Sequence, residues 1–296
     1  MGLTGFLLIL GLVQNGQAFA QESGDAAFTE EGFLDGDDGY DPGDTPSYRR
    51  ALRDLTNYCV EHPAVVEEVP YAGQLAEGAM PSDAGLAPGH VALTFDDGPS
   101  PAVNATIRRT LETCGIRVTF FYVGRKVQWM EEHRPEEAVV RATIAGGHSV
   151  GSHSMTHARG LRIGRLATTD TDEARAELDY EVRQSHELVA AAGGGGVSPF
   201  IRFPYGNGWR VPEALAYIAT LGLTHFFWNM TTGDADAEHP RGGSAVLAHT
   251  QGAMLRGSAL RGGILLAHEK SSTTSVLPQM LRWMMEHGAT FVVFTH

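Results

Sequence analysis

His90-Val-Ala-Leu-Thr-Phe-Asp-Asp-Gly-Pro-Ser100 is the stretch on which the reading of the fold turns. Val91 to Phe95 make a mostly apolar run of strand length, closed by two carboxylates and then by a Gly-Pro turn signal. A buried strand that ends on charged groups is how an α/β sheet delivers reactive side chains to its carboxyl edge. Working outward, similar runs recur at Thr119 to Val123, His148 to Gly151, Phe200 to Arg202, Thr224 to Trp228, Gly263 to Ala267 and Thr290 to Phe294. Helix-period segments lie between most of them, at Val103 to Cys114, Glu136 to Ala145, Asp172 to Ala192, Pro212 to Thr220 and Ser275 to His287. The alternation predicts an α/β fold with a largely parallel sheet of about seven strands. No repeat of fixed period is evident, which disfavours a solenoid.

The unusual polar residues fall at the ends of these runs. Asp96 and Asp97 are adjacent, and neighbouring side chains on a strand point to opposite faces. They are badly arranged to flank a glycosidic bond as opposed carboxyls, but they suit two different roles at one metal site. An ordinary Asp-Gly-Pro turn is the alternative. His153 and His157 lie four apart, so on one helical turn both imidazoles would leave the same face, with β-carbons about 5–6 Å apart. Two imidazoles plus a carboxylate, with a position left open, is the ligand set of catalytic zinc. No Glu follows His153, so this is not a metalloprotease helix motif, and His148 stands in reserve as a supporting or structural residue. In Arg202-Phe203-Pro204-Tyr205-Gly206 a proline turn would hold Arg202 to orient a carboxylate; a surface Arg and a core Tyr are the alternative. Asp234 follows Trp228, and Leu266-Ala267-His268 closes a Gly-Ile-Leu-Leu strand, where a His beside a carboxylate suits a general acid.

Taken in this order, from about His90 to His296, the segments resemble the polysaccharide deacetylases of carbohydrate esterase family 4, the NodB homology domain. Thr94-Phe95-Asp96-Asp97 matches the family's first motif, His153-Ser154-Met155-Thr156-His157 the second, Arg202-Phe203-Pro204-Tyr205 the third and Leu266-Ala267-His268 the fifth. The fourth departs. Where the family carries Asp-x-x-Asp-Trp, Thr231-Thr232-Gly233-Asp234-Ala235 keeps only the second Asp, which bears on the groove wall and on substrate preference. The resemblance implies a distorted (β/α) barrel and removal of acetyl groups from an N-acetylated polysaccharide such as chitin oligomers or peptidoglycan. It implies Asp97, His153 and His157 as ligands of a divalent metal, zinc first, with Co2+ or another ion as the alternative. It also implies Asp96 as the general base, Arg202 paired with Asp96, and the Tyr205 backbone N–H at the oxyanion. Leu266 would line a pocket for the acetyl methyl, His268 would act as general acid, and Asp234 would keep His268 charged. Trp228 and Trp209 are candidates either for stacking on sugar or for the core. The competing readings are an O-deacetylase of acetylated xylan, a non-catalytic glycan-binding protein of the same fold, and hydrolysis of a small-molecule C–N bond.

The amino-terminal part reads differently. Phe6 to Val13 is apolar but too short to span a bilayer, and Ala18-Phe19-Ala20 follows as a cleavage signal. Residues 1–20 are therefore expected to be a signal peptide, giving a periplasmic or extracellular protein with no membrane span after cleavage. The first five residues lack Lys and Arg, which leaves a buried N-terminal helix as the alternative. Of the formal net charge of −13, nine acidic residues sit between Gln21 and Asp44 without one Lys or Arg. What remains is mildly acidic and carries no basic stripe, which excludes nucleic acid as the expected partner. Residues 21–89 read as an acidic flexible segment with a short helix around 47–62, capped by Ser47, and residues 90–296 as the catalytic domain. Asp35-Gly-Asp-Asp-Gly fails the spacing of a calcium loop. Cys59 and Cys114 either pair, for roughly 4 kcal/mol in the chain-entropy model, or are separate buried thiols.

Overall fold

In the computed structural model, which describes residues 41–70, 84–235 and 242–295, the main sheet takes nine strands, all parallel to their neighbours. The expected signal peptide, and residues 21–40 and 71–83 of the acidic segment, lie outside the described residues. In chain order the strands are β1 (Val65–Pro70), β2 (His90–Gly98), β3 (Thr119–Tyr122), β4 (Ser149–Ser152), β5 (Phe200–Ile201), β6 (Thr224–His225) and β7 (Met230–Thr231). After a separate antiparallel pair, β8 (Leu255–Arg256) and β9 (Ala259–Leu260), come β10 (Gly263–His268) and β11 (Thr290–Thr295). The order across the sheet is β1-β11-β2-β3-β4-β5-β6, with β10 bonded to both β2 and β7. Because β2 bonds to three strands, the sheet branches at the strand on which the sequence reading began. The chain forms the distorted α/β barrel that the resemblance implied.

Besides the small β8–β9 pair, two strands of the main sheet escaped the sequence reading. β7 is only two residues long, too short for any period to register. β1 lies in the segment expected to be flexible, yet it pairs with β11 along six residues from Val65 to Pro70. It is an edge strand carrying two glutamates, Glu67 and Glu68, which leaves it without an apolar alternation strong enough to read. Three helices were also missed, at Gly124–His133, Ile163–Thr168 and Gly243–Met254.

The pleat sorts the core into two layers. On β2, Val91, Leu93 and Phe95 pack with helix residues such as Ile107, Leu111, Val140 and Leu281, while Ala92 joins an inner cluster built from strands with Phe121, Phe200, Ile264 and Phe294. Each such fully buried side chain contributes roughly 1.5–3 kcal/mol. The same alternation turns Asp96 inward, on the face of Ala92 and Thr94.

Ahead of the sheet, α1 (Pro46–Glu61) starts one residue before the expected cap. Thr45, not Ser47, fills that role: its hydroxyl accepts the Tyr48 N–H at 3.1 Å, with Pro46 in the first turn. Tyr48 and Leu55 are buried, and a disulfide joins Cys59 to Cys114 just past α2 (Asn104–Glu112), with Cα atoms 5.5 Å apart. Of the two readings left open for the cysteines, the paired one holds. No helix among the described residues is long and apolar enough to cross a membrane.

Candidate active site

Parallel register collects the polar residues at one edge. His268, the last residue of β10, pairs with Asp96 of β2, and the Glu269 N–H donates to the Asp96 carbonyl. The His153 N–H donates to the Tyr122 carbonyl at the end of β3, and the Arg202 N–H to Ser152 at the end of β4. Groups scattered over more than 170 positions of sequence are thus set side by side.

Strand alternation would send Asp97 away from Asp96. The β2–β3 register shifts between Phe95 and Gly98, and Asp97 takes φ = 67°, a left-handed conformation that swings its carboxylate back to the site. Gly98 follows for a steric reason: a Cβ there would run into the Glu269 carboxylate.

The imidazoles of His153 and His157 do not sit on a helical turn, as their spacing suggested. They stand on a loop after β4 in which Ser154 (φ = 61°) and His157 (φ = 49°) are left-handed, and their ring centroids are 4.9 Å apart. Asp97 Oδ1 lies 3.4 Å from His153 Nε2 and 3.2 Å from His157 Nε2. One ligand atom from each of the three residues falls within 4.8 Å of the others.

The chemistry of this donor set asks for a cation. His153 Nδ1 is 2.7 Å from the Arg202 carbonyl oxygen, which can only accept, so Nδ1 carries the proton and Nε2 in the neutral ring presents a lone pair. Burial pushes His157 down to about 4, so its ring is neutral near pH 7. Asp97 Oδ1 is buried and makes no hydrogen bond. Although burial raises its carboxyl, His157, His268 and His153 outweigh that and hold it well below the usual carboxylate range. Three ligand atoms of the right chemistry face one another, and a divalent metal fits.

Asp96 is 2% exposed, and its Oδ2 stands 3.6 Å from His153 Nε2. Its Oδ1 accepts from Arg202 Nη1 at 2.6 Å. Arg202 is fully buried and also donates to Thr94 Oγ1 at 2.8 Å, Phe226 O at 3.1 Å and Phe227 O at 3.4 Å, with Phe121 4.3 Å from its guanidinium carbon. The surface-Arg alternative does not hold.

Across the site, Asp234 Oδ1 is 2.7 Å from His268 Nδ1, and Oδ2 accepts the His268 backbone N–H at 2.8 Å and the Thr273 hydroxyl. Burial works against a charged His268, but Asp234, followed by Asp97, outweighs it and raises the imidazole to about 9. Leu266 shares the strand face of His268, two residues away. Tyr205 is exposed, takes φ = 58°, and sets its hydroxyl 3.4 Å from His157 Nδ1. Trp228 stacks on Phe227 at 4.2 Å, Trp209 covers the same Phe at 3.9 Å, and Arg210 lies over Trp209 at 4.0 Å. His148 lies apart at the amino end of β4, accepting the Val118 N–H at 3.3 Å, and burial lowers it to about 4.

The sequence reading missed Glu269, Glu181 and Thr273. Glu269 is buried beside the first loop, accepts from Ser100 N at 2.6 Å and Asn104 Nδ2 at 2.7 Å, and is raised to about 7 by burial. Its position directly after His268 was a usable signal. Glu181 lies inside the helical pattern from Asp172 to Ala192 and Thr273 just ahead of the one from Ser275, where nothing in the sequence marks them.

Residues 84–226 match the family model of polysaccharide deacetylases. YheN of Bacillus subtilis is 28% identical over 208 residues, covering 69% of this chain and 66% of that protein. A chitooligosaccharide deacetylase of Bradyrhizobium is 31% identical over 144 residues, 49% of this chain and 58% of its own length. These alignments thus span less than two thirds of either relative. Among solved structures, the Bdellovibrio bacteriovorus peptidoglycan deacetylase Bd3279 superimposes with a TM-score of 0.60 at 26% identity, covering 79% of this chain and 59% of that one. Over residues 84–226 the chain is that of a polysaccharide deacetylase, of the NodB homology group of carbohydrate esterase family 4.

Proposed function

We propose that this chain is a metal-dependent hydrolase that removes acetyl groups from N-acetylglucosamine-containing polysaccharide, chitin oligomers or peptidoglycan, outside the cytoplasm. In this reading residues 1–20 are its signal peptide, 21–89 an acidic leader with its helix, and 90–296 the catalytic region. The observation that carries the reading is the buried, unpartnered Asp97 Oδ1 facing two imidazole nitrogens at 3.2 and 3.4 Å.

Asp97, His153 and His157 would hold the metal. Zinc is the first choice from two imidazoles and a carboxylate. Bound there, it supplies Lewis acidity that favours ionisation of water and polarises the acetamide carbonyl. Asp96, aimed by Arg202, takes a proton from the attacking water as its oxygen adds to the carbonyl carbon. The Tyr205 backbone N–H donates to the developing oxyanion. His268, charged through Asp234, gives its proton to the sugar nitrogen as the C–N bond breaks, and acetate leaves with the new C–O bond. Leu266 walls the space for the acetyl methyl, while Trp228 and Trp209 border the groove.

The test is acetate release by zinc-loaded protein across chitooligosaccharides, peptidoglycan fragments and acetylxylan. Asp96→Asn is expected to retain metal and lose about 10²–10⁴ in turnover. Full activity in that variant removes the assigned base. Acetate from acetylxylan alone turns the reading to an O-deacetylase, and metal-loaded protein that binds glycan yet releases no acetate turns it to a binding protein.

A further inference from the structure

The loop that carries His153 and His157 has an unusual support. Between Asp172–Asp179 and Ser185–Ala192 the helix opens into a π turn at Tyr180–Gln184, and Glu181 stands in that turn, 3% exposed. A π turn takes one residue too many into the ladder and directs a carbonyl away from its usual partner, and such turns gather at functional sites. Here the Glu181 carbonyl accepts the Met155 N–H from across the site at 3.0 Å.

The side chain does more. Glu181 Oε2 accepts the N–H of Met155 and of Thr156, both at 3.0 Å, and Oε1 accepts the Thr156 hydroxyl at 2.6 Å. The Ser154 hydroxyl lies beside the same carboxylate. Both hydroxyls pass the constraint on: Ser154 Oγ accepts the His157 N–H at 3.0 Å, and Thr156 Oγ1 accepts the Ala158 N–H at 3.1 Å. From the other side, the N–H groups of Gly124 and Arg125 at a helix start donate to the carbonyls of Ser154 and Met155, each at 2.9 Å. One carboxylate thus uses three acceptor sites on two consecutive residues between the two histidines. Left-handed φ at Ser154 and His157 is uphill for non-glycine residues and persists only where the surroundings impose it.

We infer that Glu181 is a positioning residue of the metal site: from its π turn it holds the 154–156 loop in the strained form that aims His153 and His157 at Asp97. The inference rests on the metal-hydrolase reading and deepens it. Groups behind the ligands that fix their orientation are typically worth about 10–100-fold in metal affinity.

Co2+ titrations followed by d–d absorption, with Zn2+ competition, test it on the full chain. Glu181→Asp keeps the charge but falls one methylene short, and Glu181→Ala removes both; each is expected to weaken Co2+ binding by about 10–100-fold. Glu181→Gln keeps the reach and two backbone acceptor bonds, and recovers most of that loss. Thr156→Val strips one hydroxyl from the relay without touching the helix, and weakens binding in the same direction should Glu181→Ala fail to fold. A purely structural Glu181 would lower the urea midpoint while leaving Co2+ affinity unchanged, so Glu181→Asp binding Co2+ as tightly as wild type overturns the inference. Wild-type protein that binds neither Co2+ nor Zn2+ instead removes the metal site and the hydrolase reading with it.

Discussion

Replacing Arg202 by Met should unfold the protein more readily than any exposed substitution, and the reason lies in what the guanidinium leaves behind. Arg202 is fully buried and serves four acceptors: Asp96 Oδ1 at 2.6 Å, Thr94 Oγ1 at 2.8 Å, Phe226 O at 3.1 Å and Phe227 O at 3.4 Å. Met fills similar volume but donates nothing, so a buried carboxylate and two carbonyls lose their partner. Breaking a buried ion pair by removing one member costs about 3–5 kcal/mol. For a domain of this size that corresponds to a fall in Tm of about 6–20 °C. Adding Asp96→Asn removes the stranded charge, so the double variant should be more stable than Arg202→Met alone, with a coupling of about 0.5–3 kcal/mol in the cycle. Urea unfolding of the four proteins, followed by far-UV circular dichroism, measures each corner. Arg202→Met within about 1 kcal/mol of wild type, or a double variant weaker than Arg202→Met, refutes the claim that this pair is a buried, mutually dependent unit.

Three further outcomes follow from the same geometry. Cys59→Ser with Cys114→Ser opens a loop with 55 residues of separation and should cost up to roughly 4 kcal/mol, read as a lower urea midpoint that reductant reproduces in wild type. His148, lowered to about 4 by burial, is neutral in the folded state but titrates near 6.5 when unfolded, so its contribution is whole above pH 6.5 and drains away as pH falls toward 4. Glu269, raised to about 7, works in the opposite sense, so the test is a difference: relative to wild type, His148→Asn should gain about 2 kcal/mol between pH 7 and pH 5, and a flat difference rules the assignment out. Asp234 raises His268 to about 9, which keeps the proposed acid protonated through neutral pH. Asp234→Asn should move the alkaline limb of kcat downward in pH, and an unmoved limb removes His268 as the group reporting it.

The sequence by itself determined the alternation of strand and helix, because runs such as Val91 to Phe95 and Gly263 to Ala267 carry their burial in their composition. It also marked Asp96, Asp97, His153, His157, Arg202, Asp234 and His268, since charged groups at strand ends have few structural reasons to be there. Local patterns could not say how those groups meet. The spacing of His153 and His157 suggested a helical turn, whereas the pair stands on a strained loop held from Glu181, which is separated from them by more than twenty residues. The return of Asp97 to the face of Asp96 depends on a register shift against β3, and the placing of His268 beside Asp96 on the parallel pairing of β10 with β2. β1 and the Cys59–Cys114 bond were likewise settled only by contacts across the chain. Composition records whether a residue will be buried; which distant residue is buried against it is decided by packing.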